Sequence, residues 1–302
     1  MTTTTKKSPS IGLIGLGAMG LGMASSLRRN GYALNVCDVR FEVAENFALA
    51  GGVAFKTPSE LAKVSDIIIS VVVNAEQTET ILFGEHGAVN EMKQKSLFIM
   101  CSTVDPNWSA LLEKRLNNLG FLYLDAPISG GAAKAAAGQI TMMTSGHTDA
   151  YQKVENILEA MASNIYKLGD RAGFGSKVKI INQLLAGVHI AVAAEAMALG
   201  IREGVDPNAL YEVITHSAGN SWMFENRMAH VLQADYTALS AVDIFIKDLG
   251  LVLDTARASK FPLPLAATAH QMFMQASAAG YGREDDAAVI KIFPGIKLPD
   301  AK

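Results

Sequence analysis

The sequence is poor in cysteine and in charged residues, and it has no excess of positive charge. Its 302 residues include 2 cysteines, 18% are charged, and the formal net charge is −3. Because Cys37 and Cys101 both lie in apolar strand-like runs, we expect buried thiols in a reducing compartment and no disulfide framework. The missing basic excess argues against a nucleic-acid partner.

Metal-ligand spacing, internal repeats and an uninterrupted membrane-spanning run are also lacking. The 6 histidines are scattered along the chain, so we expect no metal site. Polar residues at Asn182, Gln183, His189 and Glu195 interrupt the most apolar stretch, which argues against membrane partners. Half of the residues are hydrophobic, and the length suffices for two globular domains with sizeable cores.

The first half of the sequence alternates short β-like runs with helical segments. The runs are SIGLIGLG, ALNVCDV, DIIISVVV, SLFIMCS, FLYLDAP and QITMMTSG. This alternation predicts crossover units and a mostly parallel, doubly wound sheet. Because the β-like pattern stops after about Gly169, we assign residues 1–170 to an α/β nucleotide-binding domain and 171–302 to an all-helical domain for substrate binding and oligomerisation.

A long helical pattern, residues 175–203, joins the two predicted domains. Two apolar stripes follow it, so that it is apolar almost all round. The stripes are Val178, Ile181, Leu185, Val188 and Val192, and Ile180, Leu184, Gly187 and Ala191. Such a helix is expected in a core or an oligomer interface, which favours a homo-oligomer, either a dimer or a tetramer. Further helices are predicted over residues 207–216, 221–234, 241–260 and 263–279.

A glycine-rich segment follows the first predicted strand and opens a helix. Gly15, Gly17 and Gly20 have G-x-G-x-x-G spacing, which in this context permits a tight turn, close approach of a pyrophosphate and close helix–strand packing. The helix N-terminus would bind the phosphates. Asp38 ends the next strand, where a carboxylate accepts hydrogen bonds from the ribose of NAD and repels the additional phosphate of NADP. The predicted turn comprises Gly15, Leu16, Gly17, Ala18, Met19 and Gly20.

These features predict a Rossmann-type NAD-binding domain, with an ordinary βα turn and a helix cap at Asp38 as the alternatives. Arg40 could bind the 2′-phosphate of NADP, but the carboxylate of Asp38 opposes it. The same segment follows Lys6 and Lys7 and therefore also resembles a secretory signal. Its glycine spacing favours the cofactor turn, and we expect a cytoplasmic protein.

Four ordered motifs resemble those of the β-hydroxyacid dehydrogenase family, which includes 3-hydroxyisobutyrate dehydrogenases and tartronate semialdehyde reductases. They are GLIGLGAMG, DAPISGG, GFGSKVKIINQ and IKDLGL. The resemblance spans nearly the whole chain. It implies an NAD-dependent oxidoreductase that acts on a small hydroxyacid.

The resemblance also implies roles for individual residues. Lys179 matches the catalytic lysine, and Lys247 matches a lysine near the coenzyme. Asn74, which follows Val73 where the family usually has proline, and Thr103 match coenzyme-contacting positions. Ser129, Gly130, Gly131 and Asn182 match substrate-binding positions.

Residue chemistry supports these assignments independently. In a helix Lys179, Asn182 and Gln183 share one face, whereas Lys177 points away from it. Oxidation of an alcohol needs a group that takes the hydroxyl proton, and a lysine in apolar surroundings suits that role. Two glycines after Ser129 let successive backbone N–H groups converge on a carboxylate.

Three alternatives remain open from the sequence. One is a sibling enzyme for 3-hydroxyisobutyrate or tartronate semialdehyde. The others are a catalytically silent nucleotide-sensing or histone-reading relative and an imine reductase, which usually lack the lysine. Lys179 disfavours both. Asn220 and Ser221 could contact substrate or cap the helix that follows them.

Overall fold

The computed structural model describes residues 9–300. These form two compact units that divide between Lys179 and Ile180, inside the long helix. The first unit is α/β and the second is helical. The predicted fold class is therefore confirmed.

A sheet of six parallel strands forms the centre of the first unit, in the order β3-β2-β1-β4-β5-β6. Its strands are β1 (Ile11–Ile14), β2 (Leu34–Cys37), β3 (Val53–Phe55), β4 (Ile67–Ser70), β5 (Leu97–Met100) and β6 (Leu122–Asp125). The order reverses at β1 and β4, and in open α/β sheets ligands bind outside the carboxyl ends of strands at such a reversal.

Helices cover both faces of this sheet, because successive strand residues point to opposite sides. Leu13 and Ile69 belong to one apolar core, whereas Ile14 and Ile68 belong to the other. The first core includes residues of α1 (Ala18–Arg29) and α2 (Phe41–Leu49). The second includes residues of α3 (Pro58–Val64), α4 (Ala75–Phe83) and α5 (Pro106–Asn118).

A second sheet of three strands follows, in the order β7-β8-β9. It consists of β7 (Ile128–Ser129), β8 (Ile140–Thr144) and β9 (Ala162–Lys167), with the helices α6 (Gly131–Ala137), α7 (Thr148–Tyr151) and α8 (Glu155–Glu159). A methyl group on Gly22 of α1 would lie 2.7 Å from the backbone nitrogen of Ala136 in α6. The two helices therefore pack backbone to backbone, which places the end of α6 beside the first half of α1.

The helical unit contains the helices that the sequence predicts, with ends that differ by a few residues. They are α9 (Phe174–Arg202), which begins in the first unit, α10 (Pro207–Thr215), α11 (Trp222–Gln233), α12 (Val242–Ala258) and α13 (Pro264–Ala276). A π-helical turn (Ser277–Tyr281) and a 3-10 helix (Asp286–Ile292) follow.

The two apolar stripes of α9 have different environments. Residues such as Ile190, Ala194 and Met197 are buried in the core of the helical unit. The other stripe is mostly exposed, because Val188 packs against the core and the remaining members do not. Leu199 extends this exposed stripe by two helical turns, so that its exposed members are Val178, Ile181, Leu185, Val192 and Leu199. By length and composition alone α9 could cross a membrane, and core helices of soluble proteins pass the same test; 44% of its most apolar window is buried.

Candidate active site

The predicted cofactor residues of the α/β unit follow four neighbouring strands where each strand ends. The glycine-rich turn follows β1, Asp38 follows β2, Asn74 follows β4 and Thr103 follows β5. Because parallel strands have their carboxyl ends at one edge of the sheet, the fold brings these residues to that edge. Asn74 also caps α4, since its Oδ1 accepts the N–H of Gln77 at 2.8 Å.

The three motif glycines have different surroundings. Gly15 has φ +96°, and a Cβ there would lie 2.4 Å from the carbonyl oxygen of Val71. A Cβ on Gly20 would lie 1.9 Å from the carbonyl oxygen of Gly15. Gly17 instead has an ordinary φ of −67°, and no protein atom lies within 4 Å of a Cβ built on it. The protein's own packing does not require glycine at position 17, which leaves room for a ligand to approach the backbone.

The N-terminus of α1 is suited to a phosphate. Gly17 precedes the helix without a capping side chain, and the first turn contains no acidic residue. The first N–H groups of a helix have no partner within the helix, and together with its dipole they bind anions. This observation and the open space at Gly17 show that the turn fits a dinucleotide.

Asp38 has a second role that the sequence did not reveal. Its carboxylate is 7% exposed; Oδ2 accepts the N–H of Leu16 at 2.7 Å and Oδ1 accepts the N–H of Arg40 at 2.9 Å. Arg40 Nε lies 3.7 Å from Asp38 Oδ1, and the side chain of Arg40 is largely exposed. Asp38 therefore fixes the glycine-rich turn and at the same time places a negative charge beside it.

The predicted substrate loop joins β7 to α6. Ser129 ends β7, and the next two residues, Gly130 and Gly131, have φ of +135° and +80°. Only glycine adopts such angles at low cost. No side chain caps α6, and a Cβ on Gly131 would meet no protein atom within 4 Å. Open space therefore adjoins the backbone of Gly131, as an anion site needs.

The two lysines at the start of α9 lie in different environments. Lys179 is buried, with 7% exposure, whereas Lys177 is exposed and its ammonium lies 4.9 Å from the centre of the Phe174 ring. This is the difference that the helix-face argument predicts. It leaves Lys179 as the lysine whose environment suits proton transfer.

A hydrogen-bonded chain within the helical unit connects two further predicted residues. Asn182 Nδ2 donates to Gln183 Oε1 at 3.0 Å, and Gln183 Nε2 in turn donates to Asp248 Oδ2. The ammonium of Lys247 lies 2.7 Å from Asp248 Oδ1. Sequence analysis missed Asp248, although an acidic residue among apolar neighbours of α12 is a usable signal. These side-chain contacts orient Asn182 through Gln183 and Lys247 through Asp248.

Asn220 and Ser221, by contrast, make local contacts. Ser221 Oγ accepts the N–H of Phe224 at 3.0 Å and so caps α11. Asn220 donates to the carbonyl of Thr215 at 3.2 Å. Of the two roles that the sequence left open, the structure therefore provides the capping role for Ser221.

Comparison with known proteins covers both units. Residues 10–169 match the model of the NAD-binding domain of 6-phosphogluconate dehydrogenase, and residues 173–293 match the NAD-binding model of NADP-dependent 3-hydroxyisobutyrate dehydrogenase. The chain is 64% identical to L-threonate dehydrogenase of Cupriavidus necator over 97% of this chain and 98% of that protein. The chain belongs to the β-hydroxyacid dehydrogenase family. It is an oxidoreductase of the kind that uses a nicotinamide cofactor.

Two further relatives support this membership. L-threonate dehydrogenase of Escherichia coli K12 is 49% identical, over 97% of each chain. A crystal structure from Salmonella typhimurium, described as 3-hydroxyisobutyrate dehydrogenase, is 50% identical with a TM-score of 0.90, and the match covers 94% of this chain and 99% of that one. Three segments of this sequence, KIINQLLAGVHIA, GNSWMFENRM and SAVDIFIKDLGL, indicate the L-threonate branch of the family, and this interpretation is confirmed.

The open space at Gly17 yields a test of the cofactor site. We expect Gly17→Ala to raise the Kd for NADH by roughly tenfold or more, because the methyl group occupies space that the pyrophosphate needs. Titration of NADH fluorescence measures the Kd. The melting temperature of the free protein should stay close to that of the wild type, since the methyl group meets no protein atom. An unchanged Kd would contradict the assignment.

Proposed function

We propose that the protein is an NAD-dependent L-threonate dehydrogenase that oxidises C2 of L-threonate to give 2-oxo-tetronate (2-dehydro-L-erythronate). The observation that carries this proposal is the near-full-length similarity to L-threonate dehydrogenases, together with all four family motifs. The second candidate is a 3-hydroxyisobutyrate dehydrogenase, favoured by the description of the Salmonella structure. A tartronate semialdehyde reductase of the same family is a further sibling.

We assign cofactor binding to the residues at the carboxyl edge of the large sheet. The turn Gly15–Gly20 would bind the pyrophosphate, and Asp38 would accept hydrogen bonds from the ribose. Asn74, Thr103 and Lys247 would contact the remainder of the molecule. When bound, NAD accepts the hydride that leaves the substrate carbon.

Lys179 acts as the general base in this proposal. Its neutral amine takes the proton of the reacting hydroxyl during oxidation, and its ammonium returns a proton during reduction. The support from the structure is the burial of Lys179 on the same helix face as Asn182.

The remaining residues fix the substrate. The backbone of Ser129, Gly130 and Gly131 would hold the carboxylate, whose neighbouring carbon is then the one closest to the reacting position. We therefore assign oxidation to C2, although better-known siblings oxidise the next carbon. Because Asn182 Nδ2 already donates to Gln183, we assign its Oδ1 to accept a substrate hydroxyl.

The proposal also covers the assembly of the protein and its location in the cell. We propose a homo-oligomer in which the exposed stripe of α9 packs against a second copy, because a large exposed apolar patch marks an interaction site. We also propose a cytoplasmic location. Cys37 and Cys101 are buried free thiols, and burial raises the pKa of each to about 12, which is compatible with a reducing compartment.

Replacement of the two lysines tests the catalytic assignment. We expect Lys179→Ala to lower kcat by a factor on the order of 10² to 10⁴, because a positioned proton-transfer group is lost. Lys177→Ala should be nearly silent, because that side chain is exposed, and the Kd for NADH should barely change in either variant. Initial rates with saturating NAD and threonate measure the effect. The reverse pattern would show that the lysine assignment is wrong.

Cofactor preference depends on Asp38. We expect Asp38→Ala to lower the ratio of kcat/KM with NAD to kcat/KM with NADP by roughly tenfold or more, since one charge-assisted bond is lost and one repulsion is removed. The ratio is the informative quantity, because a loosened turn weakens both cofactors. The control is the double variant Asp38→Ala/Arg40→Ala, in which any gain in kcat/KM with NADP should be lost. A wild-type enzyme that prefers NADP would contradict the proposal.

Substrate discrimination separates the two candidate functions. A site that binds hydroxyl groups rejects analogues that lack them, because its polar groups are then unpaired. We expect kcat/KM for 3-hydroxyisobutyrate to be lower than for L-threonate by a factor on the order of 10³ to 10⁵. The rate of NADH formation by purified protein measures kcat/KM for each acid, and analysis of the product identifies the oxidised carbon. Comparable turnover of both acids, or a 3-oxo product from threonate, would favour the sibling function.

The assembly is tested with a charge on the exposed stripe. Leu199 and Val213 are each 61% exposed, but only Leu199 lies on the stripe. We expect Leu199→Glu to shift the molar mass measured by light scattering towards the monomer, because a charge in an apolar contact is costly. Val213→Glu should leave the mass unchanged. A wild-type monomer would refute the assembly.

A further inference from the structure

We propose that Asp125 is a positioning residue, whose carboxylate fixes the first turn of α9 and thereby the place of Lys179. This inference rests on the proposed role of Lys179 as the proton-transfer group. It assigns a role to the first residue of the DAPISGG motif, which the proposed function does not use.

The carboxylate of Asp125 accepts four hydrogen bonds, three of them from residues at the start of α9. Asp125 is the last residue of β6 and is fully buried. Its Oδ2 accepts the N–H groups of Gly173 and Ser176, each at 2.9 Å, and the hydroxyl of Ser145 at 3.0 Å. Its Oδ1 accepts the hydroxyl of Ser176 at 2.7 Å. The side chain of the last residue of β6 therefore caps α9.

Ser145 extends this cap by one more bond. Its Oγ accepts the N–H of Gly175 at 2.9 Å, so its hydroxyl hydrogen is directed to Asp125. The amides of Gly173, Gly175 and Ser176 are thus all satisfied by Asp125 and Ser145. Helix starts leave these N–H groups without a partner, and the buried start of α9 needs them satisfied.

All four partners of Asp125 donate, which favours the ionised form. Burial raises the pKa of Asp125, and the hydrogen bonds from Ser176, Gly173 and Ser145 oppose that rise. A negative charge at a helix N-terminus also interacts favourably with the helix dipole. The carboxylate is therefore matched to this position by both hydrogen bonding and charge.

The start of α9 approaches its surroundings closely. A Cβ on Gly175 would lie 2.3 Å from the carbonyl oxygen of Met143, and Gly173 has φ +100°. Lys179 follows Ser176 by one helical turn, so any shift of the first turn moves the lysine. A misplacement of about 1 Å in a reacting group can cost roughly a hundredfold in rate.

Asp125 also connects the lysine to the substrate loop. The chain continues from Asp125 directly through β7 to Ser129, Gly130 and Gly131. The same residue thus ends the strand that leads to the proposed carboxylate site and caps the helix that carries the proposed base. This arrangement sets the distance between the two.

Three variants separate positioning from general stability. Asp125→Ala removes all four bonds. Asp125→Asn keeps an acceptor in the place of Oδ2, and the Ser176 hydroxyl can turn to accept from the new amide, so it is the conservative rescue. Ser176→Ala removes one bond only. The matched control is Asp206→Ala, which removes an aspartate cap from α10, where Asp206 accepts the N–H of Ala209 at 2.9 Å.

We expect kcat to fall by roughly a hundredfold in Asp125→Ala, with the Kd for NADH unchanged. Asp125→Asn and Ser176→Ala should have kcat values between those of Asp125→Ala and the wild type, and Asp206→Ala should have wild-type kcat. Hydrogen exchange by mass spectrometry should show faster exchange in residues 173–183 of Asp125→Ala, with peptides from β5 still protected. If Asp125→Ala does not fold, intermediate kcat values with the same local exchange in the other two variants carry the test.

Wild-type kcat in Asp125→Ala, or unchanged exchange in residues 173–183, would overturn the proposal. So would an equal loss of kcat in Asp206→Ala, because the effect would then be general destabilisation. Lys179→Ala is measured in parallel. Full activity of that variant refutes the proposed role of the lysine, whereas the exchange pattern still reports on whether Asp125 fixes the helix.

Discussion

Unpaired N–H groups at the starts of helices are the constraint on which this structure depends. Five of the six parallel strands of the large sheet lead to a helix at one edge, whereas β6 leads to β7. Each helix begins with N–H groups that need partners. Thr57, Asn74 and Asp105 cap three of these helices with their own side chains. Asp125 caps α9 from a different strand.

Three of the helices that follow strands begin without a capping side chain, namely α1, α2 and α6. The first turn of α2 carries Glu42, whereas α1 and α6 have no acidic residue there and are the two that the motifs assign to ligands. Gly17 precedes α1 and Gly130 precedes α6, and neither has a side chain that could accept the free N–H groups. An anion from outside can therefore take the place of a cap. An uncapped helix whose first turn also lacks an acidic residue is thus available to a phosphate or a carboxylate.

Most of the fold was predictable, because hydrophobic periodicity and turn residues are local signals. The helices of the second unit and the six long apolar runs were found. β3, β7 and β9 were missed for identifiable reasons. β3 is short and includes an exposed Val53, β7 has two residues, and β9 carries polar residues at Ser163 and Asn164. Such strands exist because a neighbouring strand pairs with them, which no local pattern records.

The site was predictable to a smaller extent. The spacing of the motif glycines and the helix face of Lys179 are local, and the structure agrees with both. The bonds from Asp38 to Leu16, from Asp125 to Ser176 and from Gln183 to Asp248 join residues that are distant in sequence. A buried acidic residue in an apolar run signals that such a partner exists, but the sequence does not say which residue it is.

The long helix α9 carries both the buried face of Lys179 and the exposed apolar stripe, two features that could otherwise vary independently. Its period of 3.6 residues places Lys179 and Gln183 on a buried face, while Ile181 and Leu185 lie on the exposed apolar stripe. Ile181 is adjacent in sequence to Asn182, so a change that alters the stripe acts one residue from the proposed substrate ligand. Because a helix is stiff over a few turns, a partner that packs on the stripe also restrains the residues of the buried face. The proposed assembly and the proposed active site are therefore constrained by the same stretch of sequence.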